Sequence, residues 1–302
     1  MSSPLILSVS TVFALIGIVL VAIAFGTNNW VEFDVNRGLL LAPMRRNESL
    51  RFRLREINRT DIYFSRSYGL FRECFPAQVP SDTGTYISPL GSTCINLKDY
   101  QIPEDKTVTE QYTSEQKTRM HLMRTTVALY ILGLAFLFFC LFTGVAGCWR
   151  RHAGLILATG ILLLFATLFL AAAMAVWHGV DYLQREVINV RPFYLTWPPE
   201  LKLATSMNYG WSYIISWIGV GFVLISSLLM LAAYRSMKEE EAEEFEKKQA
   251  PYMMANYYDK GAMMPYGGGY GTYPGYGAYP AMGYYGSYGA NNGYYGYMTY
   301  GR

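Results

Sequence analysis

The sequence predicts an integral membrane protein, a bundle of four transmembrane helices carrying a small antiparallel β-sheet on its outer side and ending in a disordered cytosolic tail. Three observations lead there. Apolar residues make up 52% of the 302-residue chain and gather in four blocks. Lys and Arg cluster at block ends that define one side of a membrane. Two glycosylation sequons and two cysteines fall together in the one long loop.

The blocks are Leu5–Phe25, Thr125–Trp149, Ala153–Val176 and Ser212–Tyr234, and none contains Asp, Glu, Lys, Arg or His. A bilayer core takes about 20 helical residues to cross, and a buried soluble helix of such length would show a polar face. The first block ends in Ala22-x-Ala24, which resembles a signal-peptidase site. It lacks a preceding Lys or Arg and exceeds the usual signal core, so it reads as a retained helix. Small residues (Gly154 with Ala158, Gly133 near Leu137, Gly144 and Gly147) mark close helix approach, as expected of a bundle.

Arg150-Arg151-His152 joins the second and third blocks, and Arg235 and Lys238 follow the fourth. Short loops rich in Lys and Arg stay in the cytosol, whereas a loop of about 100 residues is translocated largely regardless of charge. Both termini are therefore expected inside, and segments 26–124 and 177–211 outside.

The long loop opens with Trp30-Val31-Glu32-Phe33-Asp34-Val35, whose alternation predicts a strand. Leu50 to Arg55 alternates likewise, which would set Arg51, Arg53 and Arg55 along one strand face. Ile62-Tyr63-Phe64 leading into Tyr68-Gly69-Leu70-Phe71 suggests a third strand. Asn47-Glu48-Ser49 and Asn58-Arg59-Thr60 are N-glycosylation sequons. Cys74 and Cys94 lie on the oxidising side and are expected to pair, closing a loop of roughly 20 residues worth about 3 kcal/mol. Beyond them the chain turns acidic at Pro103-Glu104-Asp105, and from Glu110 to Arg119 it winds into the second helix.

Cys140 sits within a span as a small packing residue, while Cys148 at the cytosolic helix end is placed for palmitoylation or is an inert thiol. In the second outer segment Trp177, Trp197, Tyr209 and Trp211 suit the membrane interface. After the last span, residues 238–250 carry Glu243/Lys247 and Glu244/Lys248 pairs at helical spacing, predicting a charged helical extension. Residues 251–302 are dominated by Tyr, Gly, Met, Ala and Pro and are expected to be disordered.

Catalysis finds no support. His121, His152 and His178 are scattered without a second metal ligand at working spacing. The spans also lack the ionisable groups that proton-coupled transport needs. The chain reads as non-enzymatic, with no cofactor, no metal and no nucleic-acid partner.

Trp30 after the first span, then Gly69-Leu70-Phe71, Cys74 and Cys94 resemble the W…GLW…C…C signature of the claudin superfamily. That superfamily holds claudins, peripheral and epithelial myelin-type proteins, and calcium-channel γ subunits with their glutamate-receptor regulatory relatives. Phe71 stands where the family usually has Trp. The resemblance covers residues 5–235 and implies a left-handed four-helix bundle with an extracellular sheet from both loops, pinned by Cys74–Cys94. It further implies that Trp30 and the Gly-Leu-Phe stretch pack the sheet onto the bundle.

Two roles follow. One is a cell-contact or junction protein that binds itself or related claudin-like proteins, with Arg51, Arg53 and Arg55 either lining an anion path or forming a solvated basic face. The other is an auxiliary subunit of an ion channel or receptor, towards which Tyr209-Gly210-Trp211-Ser212 and Pro103-Glu104-Asp105 point by resemblance. A third has the Tyr/Gly tail recruiting cytosolic proteins. The terminal Thr299-Tyr300-Gly301-Arg302 lacks the apolar residue that a PDZ scaffold would bind.

Overall fold

Four helices long and apolar enough to cross a membrane dominate the computed structural model, which describes residues 3–46, 51–81, 86–88, 91–97, 100, 112–150 and 152–261. They are α1 (Ser3–Gly26), α4 (Ser114–Arg150), α5 (Ala153–Tyr182) and α7 (Trp211–Gly261). Each covers one of the charge-free blocks. Their outward faces are apolar and exposed (Val12, Val19, Phe138, Phe142, Leu168, Leu228), the inverse of a soluble surface and what lipid contact requires.

Helices α4 and α5 outrun the bilayer on the sheet side. Thr113 starts α4 with a reciprocal cap, its Oγ1 accepting from the Gln116 amide while Gln116 Oε1 accepts from the Thr113 amide. That is the capping-box arrangement. Helix α5 ends in a π turn, Leu183–Val187. Beyond α7's apolar part the charged stretch stays helical, with Lys247–Glu243 at 3.6 Å and Lys248–Glu244 at 3.5 Å.

The chain divides into two units, Met1–Lys248 and Gln249–Arg302. Of the second unit, the described part is helical through Gly261, so helix passes Pro251, where the composition turns to Tyr and Gly. The rest of the tail lies outside the described residues.

Close helix contacts use glycine and hydroxyls. A Cβ on Gly17 would come within 2.8 Å of Val223, and one on Gly219 within 2.8 Å of Val21, so α1 and α7 nearly touch. Ser10 and Ser226 bridge the same pair by mutual bonds to each other's carbonyls. Tyr130 of α4 donates to the Val21 carbonyl and shares a hydrogen bond with Ser216 of α7. In a membrane such bonds contribute about 0.6 kcal/mol each on average. Gly133 faces Leu170, and Gly147 faces Leu155 and Ile156, as helix packing demands. Among the described residues a Cβ on Gly154 would meet only His152 and no other helix.

The six-stranded antiparallel sheet runs in the order β4-β5-β3-β2-β1-β6. Its strands are β1 (Val31–Val35), β2 (Arg66–Tyr68), β3 (Arg72–Phe75), β4 (Tyr86–Ile87), β5 (Thr93–Asn96) and β6 (Thr205–Tyr209). Five come from the first loop. The sixth comes from the second and pairs with β1 along its whole length.

Two sequence readings need correction. Residues 51–59 form helix α3 (Arg51–Arg59), following α2 (Arg37–Arg46), and not a strand. The alternation lasts only to Arg55, after which Ile57 falls three residues from Leu54. Ile57 is buried with Val35, Leu40, Trp197 and Leu201, so packing selects the helical period. Arg53 and Arg55 thus point about 200° apart and share no basic strand face with Arg51. The stretch at Ile62 to Phe71 is likewise a 3-10 turn (Asp61–Tyr63), then β2 and the bend into β3.

Candidate functional site

The sheet meets the bundle at the turn Thr27-Asn28-Asn29-Trp30, which closes from two sides on glycine. Trp30 is fully buried. Its Nε1 donates to the Ala24 carbonyl at 2.9 Å, and its ring lies 5.3 Å from that of Trp177 and 6.0 Å from that of Tyr130. On one side, a Cβ at Gly69 would sit 2.6 Å from Asn28 Cα. On the other, one at Gly210 would lie 1.8 Å from Asn29 Oδ1 and 2.2 Å from the Asn29 carbonyl. Both positions require glycine because backbone occupies the space a side chain would fill.

Hydrogen bonds fix the joint. The amides of Trp30, Gly210 and Ser212 donate to the carbonyls of Tyr68 (2.7 Å), Trp30 (2.9 Å) and Asn29 (3.0 Å). The Trp211 amide donates to Asn29 Oδ1 and Thr27 Oγ1 donates to Ser212 Oγ. Leu70 is fully buried and Phe71 packs edge-on against Phe25 at 5.2 Å. Phe71 thus fills an aromatic position with a smaller ring. Tyr209-Gly210-Trp211-Ser212 is accounted for by this joint.

Cys74 and Cys94 face each other directly across β3 and β5 and form a disulfide, with Cα atoms 4.0 Å apart. Beside it lies a pair that the sequence did not reveal. Arg66 Nε stands 2.9 Å from Glu73 Oε1, with side chains 2% and 4% exposed. The Arg66 guanidinium lies over the rings of Phe33 (4.7 Å) and Trp197 (5.4 Å), and its Nη1 donates to the Asp61 and Phe64 carbonyls. Burial pushes the Glu73 carboxyl up to about 7, against the opposing pull of Arg66. The only hint in the sequence was a Glu set between the apolar Phe71 and Cys74.

At the outer end of α5, Arg185 pairs with Asp181 at 2.8 Å and the Tyr209 hydroxyl donates to Asp181. His178 Nε2 lies 2.6 Å from the Tyr213 hydroxyl, and Tyr213 stacks on Tyr209 at 4.6 Å. Among the described residues no group of three His, Cys, Asp or Glu could hold a metal. Of the four rings expected at the membrane interface, Trp177 and Trp197 are buried core residues, whereas Tyr209 and Trp211 are part-exposed.

Other expected sites are dispersed. Asn58 is exposed at the end of α3, its Oδ1 accepting from Arg37 at 2.6 Å, so its Nδ2 is not the atom engaged there. Arg53 and Arg55 are exposed on α3. Cys140 is buried against Thr159. Asn47 and Pro103-Glu104-Asp105 lie outside the described residues, as do the side chains of Arg51 and Cys148.

A four-span bundle carrying a disulfide-pinned sheet drawn from both loops, with Trp30 as the bolt between them, defines a claudin-like tetraspan membrane protein. The sequence model of the PMP-22/EMP/MP20/Claudin tight junction family matches residues 15–232, and the chain belongs to that family. The match begins within α1 and ends within α7, and it takes in the two middle spans and the whole sheet.

Proposed function

We propose that this protein is a non-enzymatic contact protein of the plasma membrane. In this reading both termini are cytosolic and the extracellular sheet binds like or related molecules laterally or across the intercellular gap. The observation that carries it is the exposure of aliphatic side chains at the two edges of the sheet. At one edge, Ile87 on the two-residue strand β4 is 79% exposed. At the other, Leu203, in the short helix α6 (Pro199–Ala204) leading into β6, is 83% exposed. Aliphatic side chains so exposed on a rigid, disulfide-tied platform suit a partner, and different edges meeting head to tail would extend an assembly along the membrane. The disulfide supports the outward orientation, since such bonds persist on the oxidising side. The same orientation makes Asn58 and Asn47 sites for N-glycans and Cys148 a cytosolic site for palmitoylation.

Mild-detergent purification from native cells, with copurifying proteins identified by mass spectrometry, tests this. Recovery of further copies or of junction proteins is expected, and it should fall in an Ile87→Ser/Leu203→Ser variant. Stoichiometric recovery of a channel or receptor instead would overturn the reading in favour of an auxiliary subunit.

A further inference from the structure

Between β1 and β2 the chain inserts two helices whose charge is predominantly basic. Residues 37–59 contain Arg37, Arg45, Arg46, Arg51, Arg53, Arg55 and Arg59, no Lys, and only Glu48 and Glu56 as acids. We infer that this α2–α3 segment binds a linear sulfated polysaccharide of the extracellular matrix, an inference that rests on the outward orientation proposed above.

Three features select that partner. A basic amphipathic helix commonly seats its apolar face in a bilayer. Here Leu40 and Ile57 are already buried against Trp197, Leu201 and Ala204, so the Ile57 side of α3 is taken up inside the protein, and Leu39 is the exposed large aliphatic on α2 among the described side chains. This apolar cluster is distinct from the one that Trp30 and Val31 share with the bundle, with Phe33 packed against both. Five strand residues, about 17 Å of chain at the usual rise, separate Trp30 from the start of α2.

A folded acidic protein would be recognised through buried anchors in a desolvated centre. Arg53, Arg55 and Arg59 are instead exposed, and the first two project from opposite sides of α3. Such an array matches a flexible chain of anions that can wrap it. Arginine, with its planar fork, suits sulfate oxygens better than lysine does. Arg37 is excluded from the array, since it is committed to Asn58 and lies 4.1 Å over the Phe64 ring. The nearby acids Glu56, Asp61 and Glu200 are outnumbered, with Arg191 adding to the basic side around Tyr63.

The test is binding of a heparin dodecasaccharide to the full-length glycosylated protein in lipid nanodiscs, in physiological salt. Binding that weakens as salt rises is expected, with hyaluronan, which carries no sulfate, binding more weakly. The variant Arg53→Gln/Arg55→Gln/Arg59→Gln should bind about tenfold more weakly, as three exposed charge contacts allow. It should keep the Cys74–Cys94 bond on a non-reducing gel, and Lys247→Gln/Lys248→Gln should bind as wild type. Absence of heparin binding, a triple variant that binds as tightly as wild type, or equal binding to phosphatidylserine vesicles would each overturn the inference. Copurification of like copies with the triple variant reads the contact function separately, so either idea can fail alone.

Discussion

The joint at Thr27–Trp30 and the arginine helices α2 and α3 lie on the sheet side of the bundle and are built on opposite terms. At the joint Trp30 and Leu70 are fully buried, two glycines admit backbone where no Cβ fits, and hydrogen bonds tie together stretches distant in sequence. On α3 Ile57 is buried, and Arg53, Arg55 and Arg59 stand in solvent. The first region can hardly vary without loss of the fold. The second can change its surface at little cost in stability, and it is where recognition can reside.

The comparison yields a graded set of outcomes. The largest effect is expected for Gly210→Val, because the new side chain must displace the Asn29 backbone. Such a clash exceeds the 1–3 kcal/mol typical of overpacking, and the variant should fail to reach the cell surface in a surface-biotinylation assay. Arg66→Met should follow, costing about 3–5 kcal/mol by leaving Glu73 buried without its partner, read as a lowered Tm in detergent. Cys74→Ser/Cys94→Ser should cost about 3 kcal/mol, read the same way.

A smaller effect concerns pH. Folded Glu73 keeps its proton up to about 7, whereas the unfolded carboxyl releases it near 4.5. The folded state therefore binds more protons in that window, and Tm should fall as pH rises through it and level off above. Glu73→Gln should abolish that dependence. A Tm unchanged between pH 4.5 and 7 in the wild type would contradict the burial argument. The smallest effect is expected on α3. Arg53→Gln/Arg55→Gln should shift stability by no more than about 0.5 kcal/mol, and a large loss there would erase the contrast between the two regions.

Period and composition carried the membrane half of the fold. The four charge-free blocks could become nothing but spanning helices, and the helical continuation past Lys238 was legible in its i,i+4 charges. The cysteine pair followed from compartment, and Trp30 with Gly69-Leu70 from resemblance. Failure came where local pattern is short. Six alternating residues at 50–55 fit a strand as well as a helix, and only the apolar cluster around Trp197 decided for the helix. Trp177 and Trp197 were misplaced because an aromatic beside a span looks the same in sequence whether it faces lipid or core.

The sequence by itself thus determined which four stretches form membrane-spanning helices, because hydrocarbon tolerates neither unpaired backbone nor charge over some 20 residues. Only the tertiary structure decided that β6 completes the sheet, that Gly210 closes on Asn29, and that Arg66 meets Glu73. Those contacts join residues far apart along the chain, whose meeting depends on the packing of everything between them and leaves no local mark on either partner.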